Sequence, residues 1–167
     1  SYSQQMKVTT LESYGDKWDG NIASSFAGGS GTKTNPYIIE NGGQLLLMKD
    51  YSSSYFKLAN DIDLDNHNWL PFEFSGELNG NACTIYNLSV NRNTSDLGLF
   101  STLNGSVKNL TVRGVKIKGA NVGVIAGSLR TGEISNCHII LASNSELQAT
   151  QNVGGFIGYV RGNVAVY

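Results

Sequence analysis

The stretch Asn60-Asp61-Ile62-Asp63-Leu64-Asp65-Asn66-His67-Asn68 holds the densest set of side chains that could do chemistry. Asp61, Asp63 and Asp65 recur at every second residue, so on a strand they would project from one face about 7 Å apart. Carboxylates and amides gathered this way suit a calcium ion, which takes oxygen ligands. The usual calcium-loop pattern is broken, however, with Asn66 in place of the turn glycine and Phe72 in place of the terminal glutamate. Two such carboxylates about 6.5–9.5 Å apart could instead serve inverting glycoside hydrolysis. Set against both is a plain structural reading, in which Ile62 and Leu64 form the buried side of a strand and the aspartates its solvated side.

Nothing else in the chain assembles a reaction centre. His67 and His138 stand alone, and neither an H-E-x-x-H pair nor a nucleophile elbow occurs. Cys83 and Cys137 lie among alternating apolar residues without zinc-ligand spacing. They read as free thiols packed in a core, with one disulfide as the alternative. No metal and no cofactor is implied. Net charge is −1, charged residues make up 15% of the 167, and there is no Lys/Arg run, which argues against nucleic acid or an anionic membrane as main partner. No apolar stretch approaches the ~20 residues of a membrane-spanning helix.

The elements that must position these groups are short strands. Twenty glycines and only two prolines, with many Asn, Ser and Thr, mark an all-β chain with tight turns. Three segments share one pattern of apolar, polar, Asn, apolar, polar, apolar: Ile85 to Val90, Val107 to Val112 and Ile134 to Ile139. Asn163 to Tyr167 resembles them. A second family, Leu97-Gly98, Val122-Gly123 and Val153-Gly154-Gly155, precedes the later units. Ile85, Val107, Ile134 and Val164 are spaced 22, 27 and 30 residues apart, and the short strands with period-2 apolar alternation exclude a helical solenoid. The unequal spacings fit a β-solenoid, whose coils tolerate insertions.

The expected fold is therefore a right-handed parallel β-helix with irregular coils and an N-terminal cap. Ile85, Val107, Ile134 and Val164 would stack, as would Leu88, Leu110 and Cys137. Asn87, Asn109 and Asn136 would form a hydrogen-bonded ladder at one corner, lapsing at Val166. Residues 1–50 would be a polar segment and cap containing one short helix near Gln44 to Lys49, and residues 51–167 the coils. Strands are expected at Tyr37 to Ile39, Tyr55 to Leu58 and Asp61 to Leu64. Ser1 and the strand-like Val164 to Tyr167 read as the ends of a mature segment or of a piece of a longer protein.

Several strings together resemble a known family: Phe26-Ala27-Gly28-Gly29-Ser30-Gly31-Thr32, Asn35-Pro36-Tyr37-Ile38-Ile39, Tyr55 to Leu64, and Phe74-Ser75-Gly76-Glu77-Leu78-Asn79-Gly80-Asn81. In this order the chain is similar to GLUG-motif surface proteins, and to the β-helical N-terminal region of IgA-specific metallopeptidases and filamentous-haemagglutinin-type adhesins. Val122 to His138 and Val153 to Tyr159 resemble the GLUG repeat itself. Ala82-Cys83 stands where Gly-His is usual and Gly123-Val124 where Gly-Gly is usual. The resemblance implies a secreted or cell-surface bacterial protein serving adhesion or display, with no catalytic residues to carry over.

The function expected is a non-enzymatic extracellular module whose partner is a host or bacterial surface glycan or protein. The alternatives are a carbohydrate-active β-helix enzyme using Asp61, Asp63 and Asp65, and a passive spacer. The loops to watch are Asn91 to Asp96, Leu141 to Gln151 and Ser52 to Ser54. Among the aromatics Tyr51, Tyr55 and Tyr159 are candidates for exposure, while Trp69 suits the core.

Overall fold

The computed structural model of the protein describes residues 16–161 and the strand at 165–166. In chain order the strands are β1 (Tyr37–Ile39), β2 (Tyr55–Leu58), β3 (Ile62–Asp63), β4 (Glu77–Asn79), β5 (Thr84–Asn91), β6 (Asp96–Leu97), β7 (Phe100–Leu103), β8 (Ser106–Lys108), β9 (Thr111–Val122), β10 (Ala126–Leu129), β11 (Glu133–Ser135), β12 (His138–Ile140), β13 (Glu146–Val153), β14 (Ile157–Val160) and β15 (Ala165–Val166). The named strands pair in parallel throughout, and the chain visits three sheets in rotation. The first sheet runs β1-β2-β4-β8-β11-β15, the second β3-β5-β9-β12 with β6 and β13 also on β9, and the third β7-β10-β14. The molecule is thus a parallel β-solenoid, with its core enclosed by the three sheets.

Stacking of like on like fills that core. Phe56, Leu78, Val107 and Ile134 lie in register along the first sheet and are buried. Ile62, Ile85, Val112 and Ile139 lie in register along the second. Along the third, Leu103 pairs with Leu129 and Phe100 with Ala126. Phe74 stacks on Phe100 with centroids 4.5 Å apart, within the range where ring pairs add to area burial. One helix, α1 (Gly42–Leu47), is capped by Asn41, whose Oδ1 accepts from the Gln44 N–H at 2.9 Å. Its six residues are all buried. Trp18 meets Trp69 edge-on nearby, and the apolar cluster runs unbroken from Trp18 to Cys137. The first sheet already begins at β1, within residues 1–50.

The architecture matches the expected one, but its phase differs. Ile85 lies over Val112 and Leu88 over Val115, so the Thr84–Asn91 strand belongs to a different sheet from Val107. Ile134 pairs with Val166 two residues beyond Val164, while 162–164 and 167 lie outside the described residues, as do 1–15. Residues 146–151, expected as loop, form most of β13 on β9. The cause is that Asn in the left-handed conformation recurs at more than one kind of bend. Asn109 (φ 56°) and Asn136 (φ 49°) occupy the corner between the first and second sheets. Asn87 (φ 61°) sits within β5, opposite Gly114 (φ 77°).

A second corner, between the third and first sheets, is a column of glycines. A Cβ on Gly105 would overlap the Gly76 carbonyl oxygen, and one on Gly132 the Gly105 carbonyl oxygen. The coils approach here backbone to backbone, with no room for a methyl group. Gly105→Ala is therefore expected to lower stability by about 3 kcal/mol, since a packed backbone must move to admit it. Gly155→Ala, where nothing lies within 4 Å, is expected to change it by less than about 0.5 kcal/mol. Urea denaturation of the two variants checks the contrast.

Candidate functional site

The three aspartates have three different jobs. Asp61 is exposed, and its Oδ1 accepts from the Thr84 N–H of the next coil at 2.7 Å. Asp63 lies on β3 and is only 3% exposed. Its Oδ1 accepts from the Asp65 N–H at 2.8 Å and from Asn87 Nδ2 at 2.9 Å. Asp65 has entered a left-handed turn (φ 51°), where Lys17 Nζ lies 3.4 Å away. One carboxylate thus starts a strand, one braces a bend and one is ion-paired at the surface. They do not converge on a cleft. Among the described residues, no three His, Cys, Asp or Glu side chains are grouped to hold a metal ion.

The asparagines divide in the same way. Asn136 Nδ2 donates to Asn109 Oδ1 at 2.8 Å, and Asn109 Nδ2 to Asn79 Oδ1 at 3.2 Å. Asn87 stands on the second sheet, bonded to Asp63, and is no part of that column. A further column went unnoticed in the sequence. Asn152 Nδ2 donates to Asn121 Oδ1 and Asn121 Nδ2 to Asp96 Oδ1, each at 2.7 Å, while Arg161 reaches Asp96 Oδ2 at 3.3 Å. Asp96 and Asn121 are buried, so these bonds carry polar groups through the core wall. The signal was one residue upstream of the Leu97-Gly98, Val122-Gly123 and Val153-Gly154 family, each member of which follows Asp or Asn.

Beside this column the second sheet loses register. On the β5 side, Asn91 pairs with Lys118 and Asp96 with Asn121, so residues 92–95 must span the gap opposite Gly119 and Ala120 alone. On the other side, β13 shifts register between Ala149 and Asn152. Both neighbours therefore bulge over the same short piece of β9, a feature that commonly re-aims side chains at functional sites. The result is an open groove of about 410 Å³ lined by residues 91–95, Lys118, Gly119, Ala120 and Thr150. Arg92 is held there by its Nε–H to the Trp69 carbonyl at 2.8 Å and its Nη2–H to the Asn68 carbonyl at 3.2 Å. Trp69 is fully buried, its Nε1–H bonded to the Leu99 carbonyl. Tyr51 and Tyr159 are each 44% exposed.

Comparison with known proteins bears on this frame. No family model matches the chain. It is 35% identical over 137 residues to a protein of Evansella cellulosilytica named "Putative Gly-rich membrane protein", and 35% identical over 127 residues to "Halomucin" of Haloquadratum walsbyi. These matches cover 70% and 66% of this chain but only 16% and 1% of those proteins. The chain therefore spans a small fraction of the relatives it matches. A crystal structure of "a putative immunoglobulin A1 protease from Bacteroides ovatus" superposes with a TM-score of 0.63 at 22% identity, covering 81% of this chain and 45% of that one. The resemblance drawn from the sequence holds at the level of the β-solenoid fold. No helix among the described residues is long and apolar enough to cross a membrane.

Both cysteines are free. Burial pushes both thiols above their ordinary value, with the Asp61 carboxylate adding to the effect at Cys83, while backbone hydrogen bonds oppose it at Cys137. A raised value means less thiolate at a given pH, so alkylation of the folded protein at pH 8 should be slower at both sites than in urea. The rate should climb as pH rises further, and mass spectrometry of iodoacetamide-treated protein reads it directly. In the Asp96-Asn121-Asn152 column, Asn121→Ala leaves the buried Asp96 carboxylate short of a donor and the exposed Asn152 amide short of an acceptor. It should lower stability by about 2–4 kcal/mol, against about 1 kcal/mol for Asp96→Asn, which keeps an acceptor in place. Thermal and urea unfolding of the pair check this.

Proposed function

We propose that the chain is a non-enzymatic module of a bacterial surface protein, a rigid scaffold that presents loops for adhesion or display outside the cell. The observation that carries this reading is the fate of the carboxylates, the strongest catalytic candidates in the sequence: Asp61 and Asp63 accept hydrogen bonds from the next coil, and Asp65 is ion-paired at the surface. A glycosidase needs one carboxyl group free to give a proton and another facing it across the substrate. The names of the relatives, a Gly-rich membrane protein and a halomucin, support a surface setting. Function on such a scaffold sits in the loops and bulges that depart from the stack.

The rival reading is a carbohydrate-cleaving β-helix that uses the same aspartates. A glycan array run beside a polysaccharide-cleavage screen separates the two. Binding without release of reducing ends is expected. Release of reducing ends that Asp63→Asn abolishes would overturn the proposal, and silence in both assays would favour a passive spacer.

A further inference from the structure

The groove over Gly119 and Ala120 has a chemistry of its own. Its lining includes two cations, Arg92 and Lys118, and no carboxylate, on a chain whose net charge is −1. The nearest acid in the sequence, Asp96, is buried and already bonded to Asn121 and Arg161. Lys118 is exposed and takes part in none of the ion pairs among the described residues. The guanidinium of Arg92 is aimed by two backbone carbonyls, which use two of its five N–H donors and leave the others for a ligand. The remaining polar lining is Asn91, Asn93, Thr94, Ser95 and Thr150. Amides and hydroxyls both give and accept hydrogen bonds, as sugar hydroxyls do.

The cationic character continues along the sheet. Arg113, Lys116 and Lys118 all project outward from β9. They share a face because Gly114 adopts φ 77°, which places two buried positions side by side and resets the alternation. Lys116 lies opposite Glu146, while Lys118 lies opposite Asn91 on one side and Gln148 on the other. Lys116 thus has an acid across the ladder, whereas Lys118, at the groove, has none. No aromatic side chain lines it. That disfavours stacking on a neutral sugar ring or a nucleobase, which single-stranded nucleic acid recognition requires.

We infer that this groove binds an acidic polysaccharide, with Arg92 and Lys118 taking a carboxylate or sulfate group and residues 91–95 and Thr150 the neighbouring hydroxyls. The inference rests on the surface-module reading and names the ligand class for it. Guanidinium and ammonium groups pair with such anions by charge-assisted hydrogen bonds, at full strength only where the anion is held between them.

Titration calorimetry with pentagalacturonic acid, dextran sulfate, neutral dextran and poly(dT) tests this, using the folded chain at low salt. At least one of the acidic glycans should bind and neutral dextran should not. Lys118→Gln should weaken binding by about fivefold to tenfold, and the Arg92→Gln/Lys118→Gln double variant by more. Lys33→Gln, remote on the N-terminal segment, should change nothing. Raising salt from 50 to 500 mM should weaken binding about tenfold, since exposed charges are screened. The Lys118 side chain makes no hydrogen bond or ion pair among the described residues, so its variant reads binding even if Arg92→Gln disturbs the loop. Equal binding of neutral dextran, equal binding of poly(dT), unchanged binding by the Lys118 variant, or no binding to either acidic glycan would each overturn the inference while leaving the surface-module reading in place. Release of reducing ends from either acidic glycan would instead overturn that reading itself.

Discussion

Every coil of this molecule must turn its corners directly above the corners of the coil beneath. Where the third sheet meets the first, backbone touches backbone through Gly76, Gly105 and Gly132. Where the first meets the second, asparagines in the left-handed conformation hand hydrogen bonds from Asn136 to Asn109 and on to Asn79. With the corners superposed, the strands between them can only pair in parallel and in register. The core then follows as columns of like residues, with Phe56, Leu78, Val107 and Ile134 the clearest.

The same constraint explains why the acidic stretch is structural. A bend leaves backbone N–H groups pointing away from the ladder, and nearby polar side chains take them up. Asp61 takes the Thr84 N–H and Asp63 takes that of Asp65 together with the Asn87 amide. Buried donors left without such partners would cost about 1–3 kcal/mol each. The Asp96-Asn121-Asn152 column, buried at Asp96 and Asn121, does the same work on the second sheet, with Arg161 balancing its one charge. Chemistry available to a partner must therefore lie where stacking lapses, and the bulges around Gly119 and Ala120 are the clearest such place on the second sheet.

Much of this was legible in the sequence. Short alternating strands, glycine spacing and irregular repeats specified a capped solenoid, and the strands at Tyr37 to Ile39 and Tyr55 to Leu58 fall where expected. The phase between units was not legible. Asn87 and Asn109 sit in nearly identical strings, yet one bends the middle of a strand and the other turns a corner. A left-handed Asn marks a change of direction without saying which. The second polar column has a sequence signal, the Asp or Asn before Leu97-Gly98, Val122-Gly123 and Val153-Gly154, but that signal names no partner until Asp96, Asn121 and Asn152 are superposed. The groove was indicated as the Asn91 to Asp96 loop and, through Thr150, as the end of the Leu141 to Gln151 loop. Its cationic floor needed the pairing of Asn91 with Lys118, a contact between coils that local sequence does not encode.

If stacking commits the interior and the acidic stretch to structure, a ligand must find the lapse in register and leave the rest untouched. Amide chemical-shift mapping during titration with pentagalacturonic acid measures this residue by residue. The account predicts shifts concentrated at 91–95, 118–120 and Thr150. Shifts centred instead on Asp61 to Asp65 would contradict it.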